Sequence, residues 1–144
     1  MADASSLQNQ QDQHRNDIAA WNSEKAAYRA QIERLETAKT TVGNIKTSLQ
    51  NEQFNFQYKH GGCYSEGYPV QTWAGDNHTW YSAHTWDVLI PALRTNVTET
   101  DSILDEICNK ITELENKCRE RDGWIGWALS RINELGNWIE TLLN

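Results

Sequence analysis

Proline and glycine are scarce in the first part of this chain of 144 residues. The segment from about residue 5 to 58 contains no proline and a single glycine, Gly43. Because these two residue types are the main breakers of helical backbone, little in this segment would interrupt a long helix. The chain also lacks any apolar run near the roughly 18 residues of a membrane span. We therefore expect no membrane insertion.

The N-terminus has neither the basic nor the apolar region of a cleaved signal peptide. The chain has three cysteines, an odd number. On one helix, Cys108 and Cys118 would stand roughly 15 Å apart, too far for a disulfide. These features predict a cytoplasmic protein with reduced cysteines, and any export must use a route without a cleaved signal.

Charge and aromatic content restrict the function further. The net charge is -7, and residues 61–144 hold thirteen acidic and six basic residues. This acidic balance argues against nucleic acid as a partner. Only 38% of the residues are hydrophobic, yet seven are tryptophans. That combination is typical of a thin, elongated helical body with aromatic contact points, and it disfavours a thick core.

The first arm, about residues 5–58, has a seven-residue apolar repeat. The seven positions of each repeat are lettered a to g. The d positions of this arm are Trp21, Tyr28, Leu35, Val42, Leu49 and Phe56. Its a positions include Ile18 and Ile32. This spacing predicts a long amphipathic helix. Other a positions are the polar Lys25, Lys39 and Lys46, and we expect Ala38 and Ile45 to widen the apolar stripe beside two of them.

The second arm, about residues 76–142, keeps one heptad register from Trp86 to the C-terminus. Its a positions are Ile90, Val97, Leu104, Ile111, Cys118, Ile125, Ile132 and Ile139. Its d positions are Trp86, Leu93, Thr100, Ile107, Leu114, Arg121, Ala128, Leu135 and Leu142. We expect a kink or break at Pro91, and a second weak point at 122–126, where two glycines flank Trp124 and Ile125.

Between the arms, residues 59–75 are rich in glycine and end at Trp73-Ala-Gly75. Glycine allows a tight reversal there, while the indole fills the end of a hairpin. The paired spacing of a zinc site is absent from His60, Cys63, His78 and His84. We therefore expect no metal and no cofactor.

These features predict one all-α domain over 1–144, an antiparallel helical hairpin resembling a coiled coil. With these bounds, the second arm exceeds the first by about a dozen residues. The surplus either projects or folds back near Gly123 and Gly126 as a short third helix. We expect a protein partner to cover this end, which carries the apolar residues Trp124, Ile125, Ile132, Leu135, Trp138, Ile139 and Leu142.

Two other function classes compete with binding of a hetero-partner. Catalysis is not expected, because acids such as Glu113, Glu115 and Glu120 lie on the solvated face of a heptad helix. The alternative within the binding class is a homo-oligomeric coiled coil with a structural or secreted role.

The chain resembles the Trp-x-Gly (WXG, or ESX-like) helical-hairpin superfamily of type VII secretion. The resemblance lies in the Trp73-Ala-Gly75 turn, Trp80 after it, and a second helix containing Asp101-Ser-Ile-Leu-Asp-Glu-Ile-Cys-Asn-Lys-Ile-Thr-Glu-Leu-Glu-Asn-Lys117. Within it, the chain is most similar to small proteins encoded beside LXG polymorphic toxins of Gram-positive bacteria. This similarity implies a non-catalytic partner that binds a toxin's helical N-terminal LXG domain, alone or with a second small helical protein, and targets it for export.

The chain departs from the superfamily at its export signal. That signal is an aromatic residue followed four positions later by Asp or Glu. Here Trp127 is followed at that distance by Arg131, and Trp138 by Leu142. The resemblance therefore implies either that the partner supplies the signal or that this chain acts only as a cytosolic targeting factor.

Overall fold

Two long helices make up most of the computed structural model, which describes residues 3–60 and 84–143. Helix α1 is Ala4–Phe54 and helix α2 is Ile90–Leu143. Each is flanked by a short π-helical segment, Asn55–His60 after α1 and Thr85–Leu89 before α2. The two helices pack against each other and the described residues contain no strand, which confirms the predicted all-α helical hairpin.

The predicted turn residues Trp73, Gly75 and Trp80 lie outside the described part of the chain, as does most of the predicted loop. The described residues group into two compact units. The terminal unit is Met1–Glu36 with Asn109–Asn144, and the central unit is Thr37–Cys108. The prediction of one domain over the whole chain stays a prediction.

The start of α1 is fixed by Asp3. Its Oδ1 accepts a hydrogen bond of 2.6 Å from the Ser6 N–H, and its carbonyl accepts one of 3.2 Å from the Leu7 N–H. A helix leaves its first N–H groups without partners inside the helix, and an aspartate before the first turn satisfies one of them. The negative charge also favours this end of the helix dipole.

The predicted heptads are confirmed along α2. All a and d positions from Ile90 to Ile139 are buried or half-buried, and Leu114, Ala128 and Leu135 are almost or fully inaccessible. Trp86, expected to begin the register, is instead 39% exposed. It lies in the π-helical segment Thr85–Leu89, whose wider turn shifts side chains out of the α-helical register.

Two of the polar a positions of α1 are accommodated by ion pairs across the helices. Lys25 pairs with Asp122 in the terminal unit, and Lys46 pairs with Asp101 in the central unit. Their long aliphatic stems can lie in the seam while their ammonium groups reach its edge. At the third polar position Lys39 is exposed, and the neighbouring Ala38 is half-buried in its place.

The expected widening of the apolar stripe by Ile45 is wrong, because Ile45 is half exposed. The half-buried a position beside it is Lys46, whose ion pair holds it at the seam. The backbone stays helical through Pro91, so a break there is not observed; the helix type changes from π to α between Leu89 and Ile90, directly before the proline. Proline has no N–H to donate, so one helical hydrogen bond is missing at this point.

The predicted projecting end and third helix are both wrong. Helix α2 continues without a break through Gly123 and Gly126 to Leu143. Leu7, near the start of α1, lines one groove with Trp138 and Leu142, near the end of α2, so these two helix ends lie together. With 51 and 54 residues, the two helices are nearly equal in length. Each glycine costs about 1 kcal/mol relative to alanine in a helix, which burial of the neighbouring a and d side chains offsets.

The seam predicts a contrast between two leucines six residues apart on α2. Leu135 is 0% exposed and Leu129 is 50% exposed. Leu135→Ala should lower the free energy of unfolding by about 2–5 kcal/mol, because it leaves a cavity between the helices. The matched control, Leu129→Ala, should change it by about 0.5 kcal/mol or less. Urea unfolding followed by circular dichroism measures both, and equal losses would contradict the assignment of Leu135 to the core.

Candidate protein interface

A second column of side chains runs beside the d positions of α2 in the terminal unit. It occupies heptad position g and consists of Lys117, Trp124, Arg131 and Trp138. Position g lies next to d on a helix, so these side chains border the seam on one side only. Cations and indoles alternate along the column.

Trp124 is held in place by two contacts. Its ring meets the Trp21 ring edge-on, with centroids 5.6 Å apart, and the Arg121 guanidinium lies 4.0 Å from its centroid. Arg121 is also paired with Glu24, and this hydrogen bond raises the pKa of Arg121. The polar d position Arg121 therefore carries a guanidinium that is paired with a carboxylate on each helix. Trp124 remains 40% exposed.

Trp127, one turn further along α2, is more accessible. It is 56% exposed. Its ring contacts His14 of α1 at 5.3 Å between centroids, in a nearly perpendicular arrangement. The His14 Nδ1 atom is buried without a hydrogen-bond partner. One side of this indole is thus fixed against α1, while the remainder faces solvent.

Trp138 forms one wall of an open groove. Together with Leu7, Thr141 and Leu142, it lines a cavity of about 320 Å³. Trp138 is 52% exposed, whereas Leu7 on the opposite helix is buried. Arg131 approaches the Trp138 ring at 5.9 Å and is paired with Glu134. Its charge is therefore already matched by a carboxylate on the same helix.

We define the aromatic flank as the exposed apolar set on this side of the terminal unit, which comprises Trp124, Trp127, Trp138 and Leu142. Trp127, at position c, had not been predicted as a site residue, although Trp124 and Trp138 at position g had been. The signal was present in the sequence, because positions 124, 127, 131 and 138 follow the three- and four-residue spacing of one helical face.

The seven residues predicted to bind a partner separate into two groups. Trp124, Trp138 and Leu142 are exposed and belong to the aromatic flank. The three isoleucines are half-buried in the seam, and they are Ile125, Ile132 and Ile139. Leu135 is fully buried against α1 and is not available to another molecule in this structure. Leu135 occupies a d position of α2, and α1 covers that position.

The pairing of the two helices near the flank is fixed by a buried amide. Gln11 is 7% exposed, and its Nε2 donates a hydrogen bond of 2.9 Å to the Ile132 carbonyl. Gly136 lies beside this contact, where a Cβ would stand 3.2 Å from the same Nε2. A buried polar group needs its partner, so a slipped register would leave the amide unsatisfied.

The outer face of α2 carries exposed ion pairs. Glu113 accepts from Lys110 and from Lys117, each at 2.7 Å, and these hydrogen bonds lower the pKa of Glu113 to about 2. Glu115 and Glu120 also pair with neighbouring arginines, at 3.8 and 3.4 Å. These acids are therefore engaged with cations on the solvated side of the helix.

The central unit has a separate exposed surface. Ile45 lines an open groove of about 380 Å³ whose other lining residues are mostly polar, namely Thr41, Asn44, Ser48, Leu49 and Glu52. Val88 and Ile103 of the same unit are also exposed. Its lining differs from that of the groove at Trp138 in containing no indole.

The sequence matches no known protein-family model and no curated protein. Among residues 3–60 and 84–143, no group of three or more His, Cys, Asp or Glu side chains is placed to hold a metal ion. No helix in the described part of the chain is long and apolar enough to cross a membrane. The Trp-x-Gly resemblance thus rests on the residues quoted for it and on the helical hairpin.

The Gln11 contact predicts unequal effects of two glycine substitutions on α2. Gly126→Ala should raise the free energy of unfolding by up to about 1 kcal/mol, since nothing lies within 4 Å of the new Cβ and alanine favours a helix. Gly136→Ala should raise it less, or lower it, because the Gln11 amide must move. Thermal and urea unfolding measure the difference. An equal or larger gain at Gly136 would contradict a tight Gln11 contact.

Proposed function

We propose that this chain is a non-catalytic partner protein that binds the helical N-terminal LXG domain of a type VII-secreted toxin and assists its export. One observation carries the proposal. The heptad seam is already filled by α1, yet three indoles remain 40–56% exposed on one flank of the terminal unit. Part-exposed tryptophans on a rigid element are typical of the anchor residues of protein interfaces.

The kind of partner follows from the shape of the surface. The flank runs along a helix, and its exposed side chains are separated by three, eleven and four residues, which keeps them on one helical face. Such a stripe complements another helix better than a loop or a small molecule. The resemblance to proteins encoded beside LXG toxins implies a helical partner of this type. A second small helical protein in the same complex is compatible with the separate exposed surface of the central unit.

The non-catalytic role is supported by the state of the acidic residues. Glu113, Glu115 and Glu120 form ion pairs on an exposed helix face. Because Glu113 has a pKa of about 2, it would be a poor proton acceptor near neutral pH. The proposed action is therefore binding, which begins in the cytoplasm where the toxin is made.

The departure from the export signal shapes the proposed mechanism. Arg131, which stands where the signal would place an acid after Trp127, is paired with Glu134 and lies near the Trp138 ring. In the proposed role these residues serve the interface, and the toxin or a second partner supplies the export signal. A purely cytosolic targeting factor would act through the same binding step.

The proposal predicts that a neighbouring gene encodes an LXG domain, and co-expression of this chain with that domain tests it. We expect the two proteins to co-purify as a soluble complex. Replacing both Trp127 and Trp138 by alanine should weaken binding by at least about 2 kcal/mol, roughly 30-fold in Kd, because anchor residues dominate interface energies. Titration calorimetry measures the affinity, and circular dichroism checks that the variant stays helical.

Leu129→Ala is the matched control, since Leu129 is equally exposed but lies at position e, on the other side of α2. The affinity of this variant for the LXG domain should equal that of the unsubstituted chain. A stable dimer or tetramer of the chain alone, with no complex after addition of the LXG domain, would favour the homo-oligomeric role and reject the toxin-partner role.

A further inference from the structure

Carboxylates border the aromatic flank on both sides. On α1, Asp3, Asp17 and Glu24 occupy heptad position g, and the g positions of two antiparallel helices lie on the same side of the pair. On α2, Glu120 and Glu134 occupy position c, one heptad before and after Trp127 in the same column and beyond Trp124 and Trp138 at position g. Trp124 and Trp138 therefore lie between two acidic edges, and Trp127 interrupts the outer edge.

The cations near the flank do not reverse this charge. Arg121 and Arg131 each pair with border carboxylates. The arginines that α1 contributes to the terminal unit below residue 30 are Arg15 and Arg29, and both occupy position e, on the other side of the helix pair. Five border carboxylates thus face two paired guanidinium groups. The edges keep a net negative charge.

The length of the flank sets the size of its ligand. Trp124 and Leu142 are separated by 18 residues of continuous helix, or roughly 27 Å. We propose that the aromatic flank binds one amphipathic helix of about five turns whose apolar stripe is bordered on both sides by Lys or Arg. This inference rests on the proposed function, because it takes the partner to be helical, and it defines the chemistry of the contacting helix.

Charge complementarity favours such a partner over a second copy of this chain. Two copies joined through their flanks would bring acidic edges together, and each copy carries a net charge of -7. Like charges placed at an interface oppose association, whereas Lys and Arg opposite the carboxylate borders speed encounter and fix the register. The indoles supply apolar contact, and the borders select the partner.

Two synthetic helical peptides test this inference on the full chain. Both carry the same leucine stripe and no tryptophan, and they differ only in having Lys or Glu at the border positions. At low salt, the Lys-bordered peptide should bind at least about tenfold more tightly than the Glu-bordered one. Titration calorimetry gives both affinities. Raising the salt to about 0.5 M should reduce the difference, because screening weakens the charge contacts.

Variants of the chain locate the site. Replacing both Trp127 and Trp138 by alanine should remove most binding of the Lys-bordered peptide, while Leu129→Ala should leave it unchanged. Asp17→Lys should weaken binding of the Lys-bordered peptide and strengthen binding of the Glu-bordered peptide. The inference is overturned if neither peptide binds, if the Glu-bordered peptide binds equally well, or if the tryptophan variant binds normally. It is also overturned if the chain forms a dimer that the tryptophan variant abolishes.

The outcomes separate this inference from the proposed function. If the Lys-bordered peptide binds as expected but the LXG domain does not, the toxin-partner role is rejected and the chemistry of the flank is retained. If the LXG domain binds with no dependence on salt or on the flank variants, the toxin-partner role is retained and the inference about the flank is rejected.

Discussion

Burial of the a and d side chains between α1 and α2 is the interaction on which the rest of the structure depends. A helix of this length gains little from its own hydrogen bonds in water, and its stability comes mainly from packing an apolar face. In the terminal unit, Leu114, Ala128 and Leu135 are inaccessible to solvent or nearly so. The aromatic flank is the part of this apolar surface that one neighbouring helix is too narrow to cover.

Polar residues within the seam restrict how the helices can pair. Leucine and isoleucine tolerate a shift along a heptad seam, since one apolar layer resembles the next. Gln11 does not, because its amide must reach the Ile132 carbonyl. Lys25 and Lys46 must likewise meet Asp122 and Asp101. These contacts add modest stability but disfavour other alignments.

The sequence was sufficient to predict α2 and the hairpin, because the heptad register persists and its a and d positions are buried or half-buried from Ile90 to Ile139. It was insufficient where neighbouring positions compete. At Lys46 and Ile45, a cross-helix ion pair decided which side chain entered the seam, and hydrophobicity alone favoured the wrong one.

Only part of the aromatic flank was predicted from the sequence, again because neighbouring apolar positions compete for the seam. Trp124, Trp138 and Leu142 were identified from their hydrophobicity and their place near the C-terminus, but Leu135 was included with them. A single heptad pattern cannot say which apolar residues face α1 and which face outward until the partner helix is placed. Trp127 was missed because position c is normally solvated, and only the packing of His14 against its ring marks it as part of an organised surface.

The groove at Trp138 is built from helix ends. Leu7 belongs to the first turns of α1, and Leu142 to the last turn of α2. Terminal turns open most readily in folded proteins, with little free energy needed to unwind them. A molecule seated in this groove would have to hold both ends wound, so its affinity includes the cost of suppressing their fraying. Occupancy would therefore be visible as slower amide exchange in the first turn of one helix and the last turn of the other.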